Sequence, residues 1–133
     1  MTYALDTNTV IHLLQNSPLV IAWRDSTLKH GDKLIMPPYV HFEIQRGFHY
    51  VSAPAKERAY RLLRSHCTVG EMTIEVWEAA ASLHANLRRK HLTVGDANTL
   101  IAAFCTVNNY TLVTANTKDF ENMEGLHVTN WTK

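Results

Sequence analysis

No run of apolar residues in this chain approaches the ~18 that a membrane-spanning helix needs. The start, MTYALDTNTV, has neither the basic stretch nor the long apolar core of a secretory signal. Both absences point to a protein of the cytoplasm, without a membrane partner. Cysteine is scarce: only Cys67 and Cys105, each in apolar surroundings and with no C-x-x-C spacing. That argues against a disulfide framework and a zinc site and leaves two buried thiols. Eight histidines are present, but none pair at H-x-x-x-H spacing. Net charge is nearly lacking too, with 13 basic and 12 acidic residues giving +1. Attraction to phosphates must therefore come from local clusters. Internal repeats, low-complexity tracts and long linkers are also missing. What remains is 133 residues, 46% hydrophobic, which predicts one globular domain over residues 1–133 with a real core.

The apolar run at residues 3–5 predicts a strand that ends at Asp6. Asn8 then opens a helical pattern, with Val10, Ile11, Leu13 and Leu14 apolar. A second helix is predicted over 18–29, ending near Gly31, and a strand over 34–36, stopped by Pro37 and Pro38. Further helices are predicted over 39–48 and 53–65, the latter with Ser52 as cap and Pro54 in its first turn. A strand over 67–69 and a long amphipathic helix over 73–90 follow. The stretch VGDANTLIAAF opens a helix running to Asn108-Asn109, with Asp96 as its N-cap. A strand over 110–114, a turn over 116–120 and a last strand over 127–129 complete the chain. Short, continuously apolar strands separated by helices predict a parallel sheet covered on both faces: an α/β protein with three α/β/α layers.

Ligands in such sheets bind beyond the carboxyl ends of the strands. The residues there are rich in oxygen. Asp6 follows the first strand, and the segment after the second delivers Glu43. Asp96 and Asn98 open the helix that precedes the fourth strand, and Thr114, Asn116 and Asp119 follow that strand. Singly, each has an ordinary explanation as a helix cap, a solvated helix face or a surface turn. Four parts of the chain converging on one sheet edge favour a site. Clustered carboxylates repel unless protons or cations neutralise them. Oxygen-only donors suit Mg²⁺ or Mn²⁺, and such an ion assists phosphodiester hydrolysis. No G-x-S-x-G elbow, G-x-x-x-x-G-K-[ST] loop or G-x-G-x-x-G turn is present to support a serine hydrolase or a nucleotide fold.

These motifs resemble those of the PIN-domain ribonucleases, and within them the VapC toxins of bacterial toxin–antitoxin pairs. YALDTNTVIHLL, MPPYVHFEIQRG, VGDANTLIAAF and LVTANTKDFENMEGLHVTNW each resemble a family segment, in order, and together cover nearly the whole chain. The resemblance implies Mg²⁺- or Mn²⁺-dependent cleavage of RNA, with tRNA as the RNA class. It also implies a cognate VapB-type antitoxin, a homodimer and a toxin–antitoxin hetero-oligomer. The family's first acid falls on Asp6, its second on Glu43 and its last on Asp119. Thr7, Thr114 and Asn116 support the carboxylates by the same analogy. The antitoxin groove falls on the helices after the first and second strands, with an arginine reaching toward the acids.

The third acidic position falls on Asn98. Asp96 lies two residues earlier, which on a helix turns it about 200° away, so it cannot substitute. An amide offers an oxygen but no charge, and its presence implies a loss of roughly two to four orders of magnitude in rate, about 3–5 kcal/mol. The rest of the motif is intact, which favours a deliberate Asp→Asn change that disarms a toxin over a decayed natural homologue. Among basic residues, Arg46 lies nearest the proposed chemistry, and Arg88 and Arg89 close the long helix as further RNA contacts. Arg58, Arg61 and Arg64 form a recurring basic face. Tyr39, Phe42 and Phe48 are candidates for base stacking, with core packing preferred for the two phenylalanines. Two rivals remain: a non-catalytic, degenerate PIN module, and a HAD-type phosphatase, whose D-x-D-x-[TV] motif DTNTV imitates with Asn8 in place of the second acid.

Overall fold

The computed structural model describes all 133 residues, Met1–Lys133. In chain order the elements are β1 (Thr2–Leu5), α1 (Thr7–Leu14), α2 (Pro18–Lys29), β2 (Lys33–Met36), α3 (Pro38–Tyr50) and α4 (Pro54–Arg64). They continue with β3 (Cys67–Val69), α5 (Ile74–Arg89), α6 (Asp96–Asn108), β4 (Thr111–Val113), a 3₁₀ turn (Thr117–Phe120) and β5 (His127–Thr129). Punctuation follows local chemistry. Pro18, Pro38 and Pro54 each occupy the first position of a helix, where the missing N–H has no partner to lose. Thr73 caps α5 by accepting the Val76 N–H at 3.3 Å. Asn109 ends α6 in the left-handed region at φ 57°, a conformation asparagine tolerates. Ser52 does not cap α4: the helix begins at Pro54, its cap position is Ala53, and no side chain bonds there.

All strand pairs are parallel, in the order β3-β2-β1-β4-β5. Six helices flank this sheet in a three-layer α/β/α arrangement, as the sequence predicts. The apolar run Ile101 to Cys105 is buried throughout, since α6 packs against α5 on one side and meets β4 on another. Both cysteines are free and buried, and burial pushes the Cys67 thiol up to about 12. Neither is poised to react.

The chain adds β2 and β3 on one side of β1, and β4 and β5 on the other. The switch in direction therefore lies between β1 and β4, the crevice where doubly wound sheets bind ligands. Leu5 stands opposite Val113 in that pair, so the next residues, Asp6 and Thr114, leave the same edge side by side.

Candidate active site

Asp6 is the residue at which β1 becomes α1. It is the N-cap of that helix, and its Oδ1 accepts the Thr7 N–H at 2.9 Å. One side chain thus serves as both cap and site. The residue is only 5% exposed. Its Oδ2 accepts from Thr114 Oγ1 at 2.7 Å and from Asn8 Nδ2 at 3.2 Å. Burial pushes the Asp6 carboxyl above its ordinary pKa; hydrogen bonds from Thr114, Thr7 and Asn8 oppose the rise, and the negative charge of Asp119 adds to it. Burial thus outweighs the three donors that favour the charged form.

The neighbouring residues build outward from Asp6. Thr7 Oγ1 donates to Glu43 Oε1 at 3.0 Å, which ties α3 to the end of β1. Arg46, one turn further along α3, brings Nη2 to 3.9 Å from Glu43 Oε2 and stacks its guanidinium 5.1 Å from the Phe42 ring centre. Thr114, fully buried, accepts the Asn116 N–H at 3.1 Å. Asp119 is exposed on the 3₁₀ turn, within electrostatic reach of Asp6. The structure therefore joins Asp6, Thr7, Glu43, Thr114 and Asn116 in one hydrogen-bonded set. Asn98 is half-buried in the first turn of α6 and enters none of the bonds that join this set.

Several expectations are corrected. Asp96 is not the cap of α6. Gly95 is, and its carbonyl accepts the Thr99 N–H at 3.1 Å and the Thr99 hydroxyl at 3.0 Å. The helix thus begins one residue too early for Asp96 to cap it, and Asp96 projects into solvent 3.7 Å from His84. Phe42 is not core: it is 52% exposed, while Phe48 packs edge-on to Tyr60. Arg88 and Arg89 enter none of the hydrogen bonds of the acidic set. Arg88 lines a cavity with Trp77, His84 and Asp96, and Arg89 donates to Asn86 on its own helix. Arg58, Arg61 and Arg64 are all exposed.

The site residue the sequence did not single out is Asn8, which reads there as a helix start and as an amide in place of a second acid. The signal was its place two residues after Asp6, where a short amide reaches back over a strand end.

The donors gathered here are oxygens only, which fits a hard divalent cation in kind. The charge count falls short. No group of three or more His, Cys, Asp or Glu side chains stands close enough to hold a metal ion.

Comparison with known proteins identifies the family of this fold. The PIN-domain model matches residues 3–126. The chain is 30% identical over 134 residues to Ribonuclease VapC1 of Haemophilus influenzae strain R2866, covering all of both chains. It superposes on the structure of VapBC-1 from nontypeable Haemophilus influenzae with a TM-score of 0.88 at 29% identity, again over both full lengths. The VapBC2 structure from Rickettsia felis, bound to a DNA fragment from its promoter, gives a TM-score of 0.91 at 22% identity, covering 98% of this chain and 99% of that one. These matches support the nuclease reading and lend none to the phosphatase. The chain belongs to the PIN-domain family and, within it, to the VapC ribonucleases of toxin–antitoxin systems.

Proposed function

We propose that this chain is built as a divalent-metal-dependent endoribonuclease, weakened or silenced by Asn98 and controlled by an antitoxin. The observation that carries this reading is Asp6: buried and fixed at the β1–β4 switch, with Glu43 tied beside it through Thr7. Asp6, Asn98, Glu43 and Asp119 are the residues assigned to hold Mg²⁺ or Mn²⁺, an ion that supplies Lewis acidity toward water and a phosphoryl oxygen. The chain's own residues do the rest. Thr114 and Thr7 fix the two carboxylates, and Arg46 offers a guanidinium to a phosphate arriving beside Glu43. At position 98 an oxygen is present but its charge is not.

The substrate is RNA, with tRNA as the class. A total-tRNA pool incubated with this chain and with its Asn98→Asp variant, in Mn²⁺ and in EDTA, tests the reading. Metal-dependent cleavage by the variant, slow or absent in the parent, is the expected outcome. A folded variant that cuts nothing favours the second reading, a non-catalytic module that binds RNA or antitoxin. That alternative draws on the absence of any group of three metal-competent side chains.

The partner is a VapB-type antitoxin. A cavity of about 340 Å³ between α1, α3 and the start of α4 is lined by Ile11, Leu14, Phe48 and Val51, with Glu43 at its rim. Such a groove suits an amphipathic segment carrying an arginine toward the acids. Self-association is assigned to α5. Ile74, Trp77, Ala81, His84 and Arg88 recur at three- and four-residue spacing along one face, and Ile74 and Trp77 are 71% and 49% exposed. Glu75 and Glu78 lie at one end of this helix and Arg88 and Arg89 at the other, so two antiparallel copies oppose unlike charges.

A further inference from the structure

Asn8 has more bonds to the acidic centre than any role as a helix residue requires. Its Oδ1 accepts the Ala115 N–H at 2.9 Å and stands 3.3 Å from the Thr9 hydroxyl. A backbone N–H only donates, so the oxygen must face Ala115 and the NH₂ must face the site. That NH₂ lies 3.2 Å from Asp6 Oδ2 and 3.3 Å from Thr114 Oγ1. Thr114 in turn donates to the same Oδ2 at 2.7 Å. Both lone-pair directions of Oδ2 are then engaged, whereas Oδ1 has only the Thr7 N–H and keeps one direction free. At its other end, Asn8 holds the backbone at Ala115, where the chain leaves β4 toward Asp119.

We propose that Asn8 is a positioning residue for the acidic centre: it fixes Asp6 so that Oδ1 is the oxygen presented to the reaction, and it sets the start of the segment carrying Asp119. This rests on the reading above that Asp6 and Asp119 belong to one nuclease site. Asn8 itself touches no reacting atom. It acts through Asp6 and Ala115, much as outer partners orient the ligands of metal sites.

The test is Asn8→Ala, made both in this chain and in the Asn98→Asp background, beside Val10→Ala as a control. Val10 is fully buried on the same helix, and its truncation lowers stability without touching the centre. Three quantities are compared: Mn²⁺ affinity by calorimetry, kcat and KM on RNA, and a crystal structure of the variant. The expected result is a loss of roughly 10- to 100-fold in Mn²⁺ affinity or kcat, with KM within about twofold because the RNA-binding surface is untouched. Val10→Ala should lower Tm without that loss. In the crystal structure, the Asp6 carboxylate should rotate or the backbone at Ala115 should shift. If Asn8→Ala only lowers Tm as Val10→Ala does, with affinity, kcat and Asp6 unmoved, the proposal is overturned. If the Asn98→Asp background cuts no RNA, the nuclease reading fails, and Asn8 is judged on metal affinity and on the position of Asp6 alone. An unmoved Asp6 overturns it there too.

Discussion

Thr114 donates to Asp6 across the β1–β4 switch at 2.7 Å, the shortest bond to that buried carboxylate. Thr114→Val keeps the shape and removes the donor. At pH 7 the variant should lose about 1–3 kcal/mol in urea unfolding, since a buried carboxylate loses a partner. Asp6 already holds a raised pKa, so its contribution to stability is full below the ordinary carboxylate range and falls as pH rises through the raised value. Removing Thr114 raises that value further. The gap between parent and variant should therefore widen from pH 4 to pH 7, and a gap independent of pH would argue against this linkage.

Gly70 follows β3 where the Phe104 ring presses on the backbone. A Cβ there would lie 2.6 Å from Phe104 Cε1 and closer still to Cζ. Phe104 is 2% exposed, so the ring has little room to yield. Gly70→Ala should cost about 1–3 kcal/mol by overpacking, read as a lower Tm in calorimetry. An unchanged Tm would mean that the ring repacks freely.

His41 stacks on Tyr60 and its Nδ1 lies 2.6 Å from the phenol oxygen. Tyr60 is buried, and its hydroxyl is pushed up to about 12 by that burial. Burial, and then the positive charge of Arg64, hold the His41 pKa below its ordinary value of 6.5. The unfolded chain therefore binds a proton at His41 before the folded one does. The stability it contributes is present above pH 6.5 and lost as pH falls toward the depressed value. His41→Gln should flatten the fall in Tm between pH 7.5 and pH 5.5. An equally steep fall in the variant would assign the acid sensitivity elsewhere.

Trp77 stands on the outer face of α5, and its replacement by glutamate should turn a dimer into a monomer in light scattering at micromolar concentration. The fold should persist, because Trp77 is half-exposed and lies outside the buried core. A variant that stays dimeric would move the interface off α5.

Much of this fold was legible because its signals are local. Short apolar runs ending at Asp6, Pro37 and Thr114 announced buried parallel strands, and the rule that ligands sit beyond their carboxyl ends led to Asp6, Glu43 and Thr114. The errors have a different origin. Whether Asp96 or Gly95 caps α6 depends on where the first helical hydrogen bond closes, a choice of one residue that tertiary packing makes. Phe42 looked like core by type, yet α3 turns it outward, where Arg46 covers its ring. Asn8 was overlooked because two of its partners, Thr114 and Ala115, lie more than a hundred residues away in sequence.

The central claim is that position 98 needs a carboxylate and has an amide. The direct measurement is the single-turnover rate of cleavage of one tRNA by this chain and by its Asn98→Asp variant, antitoxin-free, at saturating Mn²⁺. The account predicts that the variant is faster by roughly two to four orders of magnitude, with both rates abolished by EDTA. Equal rates, or a correctly folded variant that leaves the RNA intact, would contradict it.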